Sequence, residues 1–296
     1  MMSDQPPPKS WRYGLQLRMR TLMIVVLVPG CGLGWIVHTA HVQRHAVALI
    51  ERTGGGVMYD WQFRNGIPNR EREPWAPKWL VDLIGIDYFG NAVYVIGETR
   101  QIDNSILVPA GRLGRLERLE LSNSAVTDAG LMQLAGLTHL HTLDLGGTDV
   151  GDAGLAHLKK LVSLKDLNLN ATQVGDPGLM YLKDLTNLQT LYLGFTRVSD
   201  AGLVHLKGSI NLEHLNLIDT QITDAGLVHL NDLTGLKTLY IGGTKISDGG
   251  LSYLKKTMLG LRILDLTNGE TNRPEKVTVA GVQVLQRARP NVRIDY

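Results

Sequence analysis

A single cysteine, Cys31, stands in 296 residues. That excludes an internal disulfide, so stability has to come from a packed core. Charge of one sign is also scarce outside the N-terminus. Residues 1–53 carry six Lys/Arg against two acids, leaving 24 against 26 for the remainder. A nucleic-acid-binding face needs clustered Lys/Arg and usually aromatic platforms, and the slightly acidic remainder argues against one. Catalytic signatures are missing too. There is no Gly-x-Ser-x-Gly, no phosphate loop, no His-Glu-x-x-His and no zinc-type Cys/His spacing. His157, His205 and His229 occupy one position of the repeat, in copies too far apart to bind one metal ion. No cofactor, metal or catalytic residue is expected.

Long apolar runs are absent with one exception. From Thr21 to Gln43 no charged residue occurs, and the apolar heart of this span is Leu22 to Val28. About 20 such residues cross a bilayer, and residues 21–40 meet that length. Four basic residues precede the span (Lys9, Arg12, Arg18, Arg20), against Arg44 and Arg52 behind it. The positive-inside rule then places the N-terminus in the cytoplasm and everything after residue 40 on the other side. Two other readings of the segment stay open. One is a cleaved signal peptide; the other is a lipoprotein signal ending at Cys31, although Pro29 departs from the lipobox pattern.

What the chain does have is repetition. From Leu113 to Lys256 a 24-residue pattern recurs six times without a gap. One copy reads Leu137, Leu140, Leu143, Leu145, Thr148, Val150, Asp152, Gly154, Leu155, Leu158. A period in the twenties marks a solenoid, whose units cannot bury their apolar faces alone. The alternation Leu143-Asp144-Leu145 predicts a short strand with its leucines pointing inward. Successive strands then stack in parallel at about 4.8 Å. Thr148 and its equivalents sit where the chain turns inward, in position to bond backbone groups of the turn and of the next repeat. Asp152 and its equivalents have the position and chemistry of an N-cap for the short helix that follows. Pro177, just after Asp176, fits the first helical position. The recurring glycine at Gly154 allows a close approach from a neighbouring backbone.

The pattern Leu-x-x-Leu-x-x-Leu-x-Leu resembles the leucine-rich repeat family. Its tail, Thr-x-Val/Ile-x-Asp-Ala-Gly-Leu-x-x-Leu, resembles the ribonuclease-inhibitor-like and F-box-associated variant. The layout of basic tail, apolar anchor, Gly55-Gly56-Val57-Met58-Tyr59-Asp60 segment and repeats is similar to that of membrane-anchored proteins from planctomycete-type bacteria. The resemblance implies an α/β fold: a right-handed solenoid with a parallel sheet on the concave face, short helices on the convex face, and a transmembrane helix ahead of it. The expected organisation is a basic cytoplasmic tail at 1–20, the anchor at 21–40 and a juxtamembrane helix at 41–56. A cap with an irregular first repeat follows at 57–112, the six repeats at 113–256, and a degenerate repeat with C-terminal cap at 257–296. Within the first cap, Val57–Trp61 reads as a strand and Trp79–Ile84 as a compact apolar helix.

Residues of the strands that point away from the core form the one extended surface the repeats create. One row bears Asp144, Asn168, Tyr192, Asn216 and Tyr240, with Phe195 just beyond a strand. Tyrosine and tryptophan give large contact area at small entropic cost. These six residues are therefore the candidate binding site for a protein or glycan partner. A structural envelope protein with no dedicated ligand is the alternative. Work as a ubiquitin-ligase adaptor, which the F-box-associated repeat brings to mind, needs an F-box segment that residues 40–112 do not supply.

Overall fold

The computed structural model describes residues 34–64, 67–69, 71–257, 259–267 and 274–296. The tail at 1–20 and residues 21–33 of the expected anchor lie outside the described residues. Among those described, no helix is long and apolar enough to cross a membrane.

Alternation in each repeat does produce a three-residue strand. Arg118–Glu120, Thr142–Asp144, Asp166–Asn168, Thr190–Tyr192, His214–Asn216 and Thr238–Tyr240 pair in parallel in the order of the chain. The register is constant, with Leu119, Leu143, Leu167, Leu191, Leu215 and Leu239 side by side. Ala92–Ile96 joins in parallel at one end, and Ile263–Asp265 and Arg293–Asp295 at the other. The tenth strand, Gly56–Tyr59, runs antiparallel to Ala92–Ile96 and terminates the sheet. Parallel stacking puts equivalent leucines against one another, and the core is one unbroken cluster from Ala46 to Ile294. Leu143, Leu145, Val150, Leu155 and Leu158 are all fully buried. Full burial of one such side chain stabilises by about 1.5–3 kcal/mol.

The threonine ladder is buried as expected, but its bonds stay inside each repeat. Thr148 Oγ1 donates to the Leu145 carbonyl at 2.6 Å, Thr172 to Leu169 at 2.7 Å and Thr220 to Leu217 at 2.6 Å. Ser124 does the same toward Leu121 at 2.6 Å.

For the aspartates the expectation needs correction: they do not cap their own helices but hold the residue that opens the helix of the following repeat. Asp152 begins the helix Asp152–Leu155, whose N-cap is Gly151. Its Oδ1 accepts the backbone N–H groups of Gly175 at 2.7 Å and Gly178 at 3.0 Å, both in the next repeat. Asp176 Oδ1 accepts the Ser199 N–H at 2.7 Å while Oδ2 takes the Ser199 hydroxyl at 2.6 Å. Asp200 treats Thr223 alike at 2.8 and 2.6 Å. Asn104 replaces aspartate at the first junction, its Oδ1 accepting from the Thr127 N–H at 2.9 Å. At the last, Asp248 reaches Thr278, the N-cap of Val279–Ala288, at 2.8 and 2.7 Å. What approaches the recurring glycine is thus a carboxylate as well as a backbone. A Cβ on Gly202 would lie 2.5 Å from Asp176 Oδ1, and Gly226 and Gly250 are more tightly covered by Asp200 and Asp224.

Helix 34–52 runs without a break through the expected boundary between anchor and juxtamembrane segment. Its Ala46, Val47 and Ile50 enter the common core, so it is part of the N-terminal cap rather than a connector. Gly54, at φ +88°, ends it. Asp87 binds this helix to the cap, accepting from Tyr59 Oη at 2.9 Å, Gln43 Nε2 at 3.3 Å and Arg44 Nε at 3.4 Å. Burial and the neighbouring Asp87 carboxylate push the Tyr59 phenol well above the usual tyrosine range. Gln43 Oε1 in turn accepts from the Ala92 N–H at 2.9 Å, tying helix to sheet. The expected strand at 57–61 forms as Gly56–Tyr59, and Lys78–Ile84 is helical. That helix is apolar but not compactly packed, since none of its residues is buried.

Gly202→Ala and Asp176→Ala should each destabilise the chain by about 1–3 kcal/mol, by steric clash and by loss of bonds to Ser199. Because the second change removes the atom that the new methyl strikes, the double variant should lose clearly less than the sum of the two. Urea unfolding of the four proteins measures the coupling; strict additivity would refute a contact between these two side chains.

Candidate recognition surface

Constant register aligns Glu120, Asp144, Asn168, Tyr192, Asn216, Tyr240 and Asp265 in one row across the sheet. Five of the six candidate residues are therefore brought together as predicted. A second row holds Tyr94, Arg118, Thr142, Asp166, Thr190, His214, Thr238 and Ile263. Thr238, although in this row, is buried, flanked in register by the larger His214 and Ile263.

The row divides into two chemical kinds. Asp144 Oδ1 accepts the Gly146 N–H at 2.9 Å and the Asn168 amide at 3.0 Å. Asn168 Oδ1 accepts from the Asn170 N–H at 3.0 Å, and Asn216 Oδ1 from the Ile218 N–H at 2.9 Å. These three side chains hold the turn two residues beyond their own strand, the local bonding that Asp and Asn favour. Much of their capacity is spent on structure. Tyr192 and Tyr240, in contrast, have no side-chain hydrogen bond among the described residues and are half-buried. They stand two strands apart, roughly 10 Å. Burial raises the Tyr192 phenol above its ordinary value, with Tyr240 and Asp166 adding to the shift.

Phe195 belongs to a third row, and its backbone is the unusual feature. Asn123, Gly147, Ala171, Phe195, Asp219 and Gly243 occupy equivalent places, all with φ between 50° and 67°. From Asn123 to Asp219 this left-handed turn lets the N–H reach the next repeat, as Gly147 to the Asn170 carbonyl at 2.8 Å, Ala171 to Gly194 at 2.8 Å and Phe195 to Ile218 at 2.8 Å. Glycine, asparagine and aspartate tolerate such a conformation, whereas other L-residues lose about 1–2 kcal/mol. Phe195 adopts it while 55% exposed, so neither backbone preference nor burial accounts for it. The column could have been found in the sequence from Asn123, Gly147, Asp219 and Gly243. At the end of the face Tyr94, which strand periodicity in the repeats does not single out, donates its hydroxyl to Glu120, and the Arg118 guanidinium lies 5.7 Å from the Tyr94 ring centre. Burial and Glu120 raise the Tyr94 phenol.

Parallel strands in constant register, buried leucines and one-turn outer helices make a solenoid of leucine-bearing repeats. The Leucine Rich repeat family model matches residues 136–159, 160–183 and 208–230. An internalin of Listeria monocytogenes is 22% identical, with 64% of this chain and 57% of that one covered and a TM-score of 0.47. A second Listeria monocytogenes internalin gives 26% identity, 67% and 78% coverage, and a TM-score of 0.48. A leucine-rich-repeat protein of Leptospira interrogans gives 17%, 64% and 50%, with a TM-score of 0.46. The chain thus spans little more than half of the first of these proteins and half of the third. No curated protein matches.

Phe195→Gly and Phe195→Ala both lose the ring, but only glycine relieves the left-handed strain. The glycine variant should melt about 2–4 °C above the alanine variant, in line with a difference of about 1 kcal/mol. Differential scanning calorimetry checks this, and equal melting temperatures would mean that no strain is held at this position.

Proposed function

We propose that this chain is a membrane-anchored, non-catalytic recognition module that engages a protein partner through its concave sheet face. One observation carries the reading: an aromatic side chain, Phe195, held exposed in a backbone conformation that costs stability and that glycine would adopt freely. Strain kept at a solvent-facing position points to use there. Tyr192 and Tyr240, with unbonded hydroxyls on the same face, supply the kind of flat amphipathic anchors that dominate binding energy. Asp144, Asn168 and Asn216 shape this surface by fixing its turns. Anchoring through residues 21–40, with the repeats outside the cytoplasm, is supported by the charge-free span and the basic residues before it. The likeness in layout to membrane-anchored repeat proteins of planctomycete-type bacteria agrees with this.

A photo-crosslinking residue at position 195, in cells, should give one discrete adduct. Tyr192→Ala combined with Tyr240→Ala should abolish it while leaving the melting temperature within a few degrees. An adduct that persists in the double variant, or appears equally from Met180 on the helix side, would refute recognition by the sheet face.

A further inference from the structure

Apolar side chains exposed on the repeats number no more than two per coil, as at Val162 and Met180 or Ile210 and Val228. The N-terminal cap is different. Trp35 is 62% exposed, Trp75 77%, Trp79 67% and Leu83 72%, with Ile36 and Ile84 exposed beside them. Trp79 and Leu83 are four apart on one helix and so share a face. Trp75 packs edge-on against Phe89 at 5.5 Å and, with Trp35 and Ile36, lines one cleft of about 700 Å³. Arg44 joins the two segments further along, donating to the Ile84 carbonyl and to Asp87. Three of the chain's five tryptophans are thus held at the solvent on one cap. A soluble surface gains nothing from such a concentration, and patches of this kind mark a partner or a membrane.

What lies next to the patch decides between them. Trp35 follows directly on the charge-free run 21–33. Helix 34–52 passes from there into the core without a hinge, through Ala40, Ala46 and Ile50. A bilayer that holds residues 21–33 then lies next to Trp35 in the chain, and Trp35 lines the same cleft as Trp75. Tryptophan is the residue that settles at the boundary of headgroups and acyl chains. Lys78 and Asp82 on the same short helix offset each other, so attraction to anionic lipid is not what the surface offers.

We propose that the exposed face of the N-terminal cap, built on Trp35, Trp75, Trp79 and Leu83, is a lipid-docking surface that seats the solenoid against the bilayer. This rests on the reading of the charge-free run that begins at residue 21 as the anchor, with its last residues, 34–40, in the cap helix, and adds to it a fixed posture. Insertion of an apolar face by about 5–10 Å into the interface is the usual depth for such contacts. The repeats then leave the membrane at a set angle.

The test uses the full chain with Cys31→Ser, a single Leu83→Cys or Leu259→Cys, and an environment-sensitive dye on the new thiol. Leu259, equally exposed at the far end of the solenoid, is the control. Each protein is reconstituted into phosphatidylcholine vesicles and floated. Spin-labelled lipid with its quencher near the headgroup should quench the dye at position 83 at least threefold more than at position 259, with no dependence on salt. A chain that floats with both dyes in water overturns the docking and leaves the anchor standing. A chain that does not float overturns the anchor and the docking with it. A dye at 83 that is shielded from water but not quenched by lipid, and is released on diluting the protein in the bilayer, assigns the face to a second copy and overturns the proposal.

Discussion

No coil of this protein can satisfy its own backbone. The residue that opens each outer helix presents an N–H that a side chain of the preceding coil takes, an amide oxygen of Asn104 at the first junction and an aspartate carboxylate at the others. A buried polar group left unbonded costs a few kcal/mol, comparable to the gain from one buried leucine. Leucine burial drives the coils together, while the aspartate bonds allow only one spacing and one register. The recurring glycine is the other half of that joint, since any side chain there would collide with the oxygen it must admit. The flat row of outward positions is a consequence of this constraint, repeated six times.

Much of this was legible because repetition amplifies weak signals. A lone Leu-x-Leu says little, but six in frame located the strands within a residue of Thr142–Asp144 and its equivalents. The buried threonines were equally plain. The partner of the aspartate was not, for a physical reason: Asp152 precedes its own helix and also lies one coil away from the Gly175 N–H. A repeating sequence offers both donors at every copy and cannot say which is nearer. The apolar helix at Lys78–Ile84 was legible as a helix, yet sequence pattern assigns an apolar face to a core by default. Here Trp79, Leu83 and Ile84 stay exposed and no residue of the helix is fully buried.

For the candidate surface, strand periodicity was enough to align Asp144, Asn168, Tyr192, Asn216 and Tyr240. It could not separate side chains that brace the turns from side chains that are unengaged, because that distinction lies in bonds to residues two positions on. Nor could it show that Phe195 sits where a glycine fits best. The significance of Phe195 comes from its backbone, which is dictated by the N–H bond to the next coil, and not from its neighbours in sequence.

Coils Asp128 to Asp224 hand over to their successors through joints of the same design, and only the ends differ: Asn104 stands in at the start, and Thr278 receives Asp248 across a longer gap. Interior units are in that sense interchangeable parts. Loss or duplication of one 24-residue unit would leave every remaining joint intact and move the aromatic anchors relative to the cap by one strand separation, about 4.8 Å. The molecule carries its own ruler, graduated in whole coils, by which the reach of its binding face from its base can be reset without redesigning a single contact.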